Sequence, residues 1–158
     1  MTINGLPLHP LIVHVVVVFA PLAGLAAILY AVVPRWRWWL RWPLVGCAVI
    51  AAAAGILAVQ SGYSLEHERQ LQQLAAVRTH QHRGSILRWV MLAFLVPVGL
   101  GAWLLGGPSA AASGWGAREG RTGVAAVGLQ VLLVLGSVVL LVCVFLTGDS
   151  GARAVWGG

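Results

Sequence analysis

The sequence predicts an all-α fold, an integral membrane four-helix bundle with a short amphipathic helix between the second and third helices. Three observations carry that expectation. Apolar residues make up 59% of the chain and charged residues 9%, with a mean hydropathy of +0.89, outside the range of soluble domains. Four apolar stretches, about 11–33, 44–63, 86–105 and 124–146, are each long enough to cross a hydrocarbon core of about 30 Å, which takes roughly 20 helical residues. Between the second and third, residues about 64–80 place apolar side chains on one side only at helical spacing. Little chain remains for a soluble domain, so 1–158 reads as a single transmembrane domain.

Helix 1 is expected to open at Pro10, whose missing N–H is not needed in a first turn. That puts His9 at the cap and His14 about one turn inside. No basic residue precedes this run, which is also too long for a signal-peptide core, so a retained helix is expected. Pro21 and Gly24 interrupt helix 1 and Pro97 interrupts helix 3; kinks there would free carbonyls for neighbouring helices to satisfy. The connection Pro34 to Pro43, with Trp36, Trp38, Trp39 and Trp42 among Arg35, Arg37 and Arg41, reads as an interfacial turn with indoles and guanidiniums at headgroup level. This end of the bundle is face B, and the end holding the N-terminus is face A.

Helix 2 returns the chain to face A. There Ser64 suits the cap of the amphipathic helix, with Glu66 and Glu68 in its first turn at the positive end of the dipole. His67, Leu71, Leu74, Ala75 and Arg78 share one face of it, and Gln70, Gln72 and Gln73 form most of the other. Helix 3 runs back to B between Trp89 and Trp103. The Gly, Ala and Ser-rich stretch 106–123 is expected to be a flexible loop on face B. Helix 4 returns to A and stops near Thr147–Gly151, with Asp149 capping a short terminal helix over 152–156. Ala51 with Gly55, and Gly128 with Gly136, offer the small residues that helix contacts in lipid favour. No strong internal repeat is evident, although the two helical hairpins share a crude pseudo-symmetry. Cys47 and Cys143 fall at opposite faces and are not expected to pair.

Threading the chain this way collects the polar chemistry at one end. All five histidines, His9, His14, His67, His80 and His82, fall at face A with Glu66, Glu68, Asp149 and Tyr63, whereas face B holds none. Imidazole entering a bilayer is costly without a partner. Haem b in a four-helix bundle needs two imidazoles from different helices at similar depth. His14 on helix 1 and His80 at the entrance of helix 3 meet that need, with His67 as a substitute ligand, His9 near a propionate, and Gly84 letting a flat macrocycle approach the backbone. A transition metal ion would draw on the same set, His9, His14, His67 and His80 with Glu66 or Glu68. His9 and His14 cannot chelate alone, since five residues turn them about 140° apart on a helix.

Other classes are disfavoured. The formal charge of +6 comes from arginines scattered through loops, which suits anionic lipid headgroups and not the dense basic stripe of a nucleic-acid surface. Ser61, Ser64 and Ser85 lie near histidines, but no nucleophile motif surrounds them, so no independent catalytic activity is expected. No charged group lies deep in helices 1, 2 or 4, so no proton relay crosses the membrane.

The opening Gly5-Leu6-Pro7-Leu8-His9-Pro10-Leu11-Ile12-Val13-His14 resembles domain of unknown function 2231, a family of four-helix bacterial membrane proteins. So do Ser61-Gly62-Tyr63-Ser64-Leu65-Glu66-His67, the pair His80 and Gly84, and Gly148-Asp149-Ser150-Gly151-Ala152-Arg153-Ala154-Val155-Trp156. The resemblance covers nearly the whole chain. It implies the fold, and through relatives joined to Rieske iron–sulfur modules it implies a respiratory or electron-transfer setting.

Arginines divide equally, Arg35, Arg37, Arg41, Arg118 and Arg121 on B against Arg69, Arg78, Arg83, Arg88 and Arg153 on A. Three of them closely follow helix 1, which makes B the cytoplasmic face and places the histidines and both termini outside the bacterial cytoplasmic membrane. The leading expectation is haem b or a transition metal at the histidine end. It would serve electron transfer with a quinone, Rieske or cytochrome-type partner, or an accessory subunit of a respiratory complex. The alternative is a structural or assembly subunit of a larger membrane complex with no cofactor of its own.

Overall fold

In lipid no water is available to backbone N–H and C=O groups, so a spanning segment folds as a helix whatever its side-chain propensities. The Val-rich first stretch does so in spite of its β-branched residues. The structure, a computed structural model, describes residues 2–3, 6–69, 75–109 and 113–156, with side chains described over 9–64, 75–109, 113–154 and 156. Its elements are a two-residue antiparallel pair, β1 (Thr2–Ile3) and β2 (Leu6–Pro7), then α1 (Leu8–Val32), a 3-10 turn (Pro34–Trp36), α2 (Arg37–Arg69), α3 (Ala75–Leu104) and α4 (Val124–Trp156). All four helices are long and apolar enough to cross a membrane. They pack in sequence order around the bundle, with α4 closing against α1.

The helices are longer than the apolar stretches alone suggest. The expected turn over 34–43 shrinks to the 3-10 segment, and Arg37 to Pro43 instead start α2. The reason is amphipathicity: Arg37, Leu40 and Leu44 are buried, while Trp39 and Trp42 lie exposed on the other side. Among the described residues of 64–80 there is no separate amphipathic helix. Residues 64–69 continue α2 and 75–80 open α3, and Leu71, Leu74, Gln70, Gln72 and Gln73 lie outside the described residues. Ser64 is therefore not a cap; its hydroxyl donates back to Gln60 O within α2. Helix α1 begins at Leu8, so His9 is inside it and not at its cap. Helix α4 runs unbroken through Thr147–Gly151, so Asp149 caps nothing and pairs with Arg153 one turn on.

The core is built of small residues. Ala20, Ala23, Ala27, Ala51 and Ala52 are buried with Leu44, Val98, Leu133 and Leu140. Glycines admit larger side chains from the facing helix: Gly24 faces Leu141, Gly55 faces Met91, Gly101 faces Leu133 and Gly136 faces Phe94. Gly128 has no such neighbour. The outer surface carries exposed Leu11, Val18, Leu25, Val96, Leu132, Leu135 and Phe145, as a lipid-facing surface requires.

Face B shows how helix ends survive at a membrane boundary, where the last four carbonyls lack helical partners. For α3, Gly101 O accepts from Leu105 N and Tyr30 OH, Ala102 O and Trp103 O accept from the Arg118 guanidinium, and Leu104 O accepts from Arg121 N. For α1, Arg37 is 7% exposed and donates from Nε to Tyr30 O (2.8 Å) and from Nη2 to Ala31 O (3.1 Å), and its Nη1 reaches Gly106 O (2.9 Å). The loop after α3, expected to be flexible, is tied by a bridge between Gly107 and Arg118. A Cβ on Gly120 would fall on the backbone of Gly106.

Replacing Arg37 with Ala strands two buried carbonyls, of Tyr30 and Ala31, and the part-buried one of Gly106 together. Thermal or denaturant unfolding in detergent should show a loss of about 3 kcal/mol, and Arg37→Lys, with one point charge for a three-pronged fork, should restore only part of it.

Candidate functional site

The histidine end is organised by two copies of one local device. A helical carbonyl has a second lone pair, normally covered by the side chain four residues on. At Ala58 that residue is Gly62, and at Thr147 it is Gly151. Both carbonyls are thus open to a ring from the neighbouring helix. His9 of α1 places Nδ1 2.9 Å from Ala58 O and 3.3 Å from Ser61 Oγ. His80 of α3 places Nδ1 3.1 Å from Thr147 O and 3.3 Å from Ser150 Oγ. Each serine also donates to the same carbonyl, Ser61 to Ala58 O and Ser150 to Thr147 O.

A side chain at either glycine would crowd the ring. A Cβ on Gly62 would stand 3.2 Å from His9 Cε1, and one on Gly151 would stand 3.0 Å from His80 Cε1. The pattern, a residue whose carbonyl accepts, followed at three and four positions by Ser-Gly, pairs α1 with α2 and α3 with α4 in the same way. The crude hairpin symmetry expected from the sequence is therefore concrete at this end.

A carbonyl only accepts, so in the neutral rings Nδ1 carries the proton and Nε2 keeps the lone pair. The two imidazoles meet with centroids 6.3 Å apart and planes at 81°. Ser61 and Ser150 beneath them are 4% and 3% exposed, so the pair roofs a buried polar floor. Thr147 Oγ1 is also buried there, with no hydrogen-bond partner among the described residues.

The other candidate residues fall elsewhere. His14 lies on the exposed side of α1 and turns its Nδ1 to Pro10 O of its own helix at 2.6 Å. His82 is exposed. Gly84 is half-buried one turn beyond His80, with no neighbouring atom within 4 Å of where a Cβ would stand. His67, Glu66 and Glu68 belong to the last turns of α2, and their side chains lie outside the described residues. Among the described residues no group of three or more His, Cys, Asp or Glu side chains gathers around one point. The structure thus brings together His9 and His80, and not His14 and His80. Reading the chain for depth missed Ser61, Gly62, Ser150 and Gly151; the shared Ser-Gly step near the ends of α2 and α4 was the available signal.

A family model described as predicted membrane protein, DUF2231, matches residues 5–158. No curated protein and no solved structure matches the chain.

The ring geometry has a direct readout. In nitrogen-15 NMR of detergent-solubilised protein, the Nδ1–H signals of His9 and His80 should both be protected from exchange. Gly151→Val should abolish the His80 signal and leave that of His9, and Gly62→Val should do the reverse.

Proposed function

The chain belongs to the DUF2231 family of predicted membrane proteins, and we propose that His9 and His80 hold a transition metal, either the iron of haem b or a bare ion, at one end of its bundle. The paired rings carry this reading. Metal-bound histidine characteristically donates its second ring nitrogen to a carbonyl or carboxylate, which sets the tautomer and aims the other nitrogen. Both rings here have that outer bond from Nδ1, made to a rigid helix, and both keep Nε2 as the ligand atom.

With centroids 6.3 Å apart, the two rings are near enough that His9 and His80 could both reach one metal. Haem iron needs only two protein ligands, because the macrocycle supplies the rest.

On this reading the chain's own residues position and tune. His9 and His80 bind, the Ala58 and Thr147 carbonyls raise imidazole basicity, and Ser61 and Ser150 fix the carbonyls in turn. The Ala and Leu core below excludes water. The setting is electron transfer in a bacterial membrane with the histidine end outside, between a quinone or membrane-embedded partner and a Rieske or cytochrome-type carrier. The protein acts alone or as an accessory subunit of a respiratory complex. A second reading has one observation in its favour: each Nδ1–H···O=C bond also staples two helices, as a purely structural subunit would use it.

Purification in detergent from cells supplied with iron, copper, zinc and haem precursor separates the two. The metal-site reading expects a Soret band or one stoichiometric metal, lost in both His9→Ala and His80→Ala and kept in His14→Ala. Wild-type protein with neither would overturn it in favour of the staple.

A further inference from the structure

At face B, where the loop after α3 meets the first turns of α4, lies an open cavity of about 340 Å³ whose wall includes Arg37, Arg121, Thr122, Ala126, Val127 and Gln130. We infer that it binds the head of an anionic phospholipid, with the phosphodiester at the two arginines and the acyl chains outside along α4. This inference is independent of the histidine pair.

Unbalanced charge is the first reason. Face B holds Arg35, Arg37, Arg41, Arg118 and Arg121 against one carboxylate, Glu119, which is exposed and does not line the cavity. Neither Arg37 nor Arg121 has an ion pair among the described residues, where the pairs formed are those of Asp149 at the other end. Arg37 is the costly one, because a charge only 7% exposed calls for a counter-charge as well as hydrogen bonds. Its bonds to Tyr30 O, Ala31 O and Gly106 O hold it in place, yet they leave guanidinium N–H donors over and bring no negative charge. Arg121 is anchored through its backbone, whose N–H donates to Leu104 O at 3.0 Å, while its guanidinium makes no hydrogen bond among the described residues. An entering anion therefore meets one charge held rigidly and a second on an exposed arm.

The order of chemistry along α4 is the second. Arg121 and Thr122 stand just before the helix, Ala126 and Val127 follow in its first turn, and Gln130 lies about 9 Å below Val124 at 1.5 Å per residue. Gln130 is half-buried in an otherwise apolar run, makes no side-chain hydrogen bond among the described residues, and is leaned back toward face B by helix geometry. The outer surface beside it is bare valine: Val124, Val127 and Val131 are 91%, 58% and 49% exposed. A cationic mouth, an amide donor below it and an apolar track outside match the phosphate, ester carbonyl and acyl chain of a glycerophospholipid in that order. A free phosphate ion would use the mouth alone. Size agrees, since small-molecule pockets hold roughly 300–1,000 Å³. The cavity is at the small end, with room for a head whose chains stay outside.

Native mass spectrometry of the detergent-purified full chain, titrated with phosphatidylglycerol and with phosphatidylcholine, tests this. Wild type should hold a single phosphatidylglycerol about tenfold more tightly than phosphatidylcholine, whose choline brings its own cation to an already cationic site. Arg121→Gln should erase that preference. Arg35→Gln, an equal loss of charge on the same face but outside the cavity, should keep it. Gln130→Leu should weaken both lipids severalfold and leave the preference unchanged. The comparison of the two lipids uses wild-type protein, so it stands even if a variant fails to fold. Equal binding of both lipids by wild type, or equal losses in Arg121→Gln and Arg35→Gln, overturns the inference. So does displacement of phosphatidylglycerol by an equal concentration of inorganic phosphate, which would make the free ion the ligand.

Discussion

The bond from an imidazole Nδ1–H to a carbonyl on the neighbouring helix is the contact on which the histidine end depends. It exists because a glycine four residues past the carbonyl leaves the second lone pair uncovered, and because a serine three residues past it steadies the same oxygen. A side chain at Gly62 or Gly151 would press on the rings, and Ser61 and Ser150 each donate a further hydrogen bond to the same carbonyl. The same bond decides which ring nitrogen holds a proton, and so which one is left for chemistry. A packing device and a ligand-positioning device are here one arrangement, made twice.

The opposite end solves the same problem with different residues. Carbonyls at the ends of α1 and α3 are met by Arg37, Arg118 and Tyr30, side chains long enough to reach a neighbouring helix from a buried stem. The close-approach glycines of that end, Gly106, Gly107 and Gly120, admit backbone and Arg37 instead of imidazoles. The guanidiniums of Arg37 and Arg118 are occupied with backbone carbonyls there, whereas Trp38 Nε1 and Arg41 Nε are buried with no partner among the described residues. At the histidine end two Nε2 atoms and the Thr147 hydroxyl have no hydrogen-bond partner among the described residues, and Arg83 and Arg153 share the Asp149 carboxylate. What sets the histidine end apart is the pair of facing imidazoles, which has no counterpart among the described residues of the other end.

Much of the fold was legible in the sequence. Membrane-length apolar runs dictate four helices, and the one-sided placement of His9, His14, His67, His80 and His82 follows from threading them. Helix limits were less legible, because Arg37 to Pro43 and Thr147 to Gly151 carry residues that suit turns in water yet continue helices when one side is buried. The choice of histidines turned on angle and not on depth. His14 is the more deeply placed residue on α1, but the rotation between it and His9 carries it to the outer surface, where its own helix supplies the partner. The Ser-Gly repeat was visible but had no meaning until the facing histidines were known, since the open lone pair is created by packing.

One measurement bears most directly on the claim that these two rings share a metal. X-ray absorption at the metal edge, on protein purified from membranes, counts imidazoles in the coordination shell. Two imidazole nitrogens at about 2.0 Å, reduced to one in a His9→Gly sample that still retains the metal, is the predicted result. A metal shell without imidazole, or one unchanged by that substitution, would contradict it.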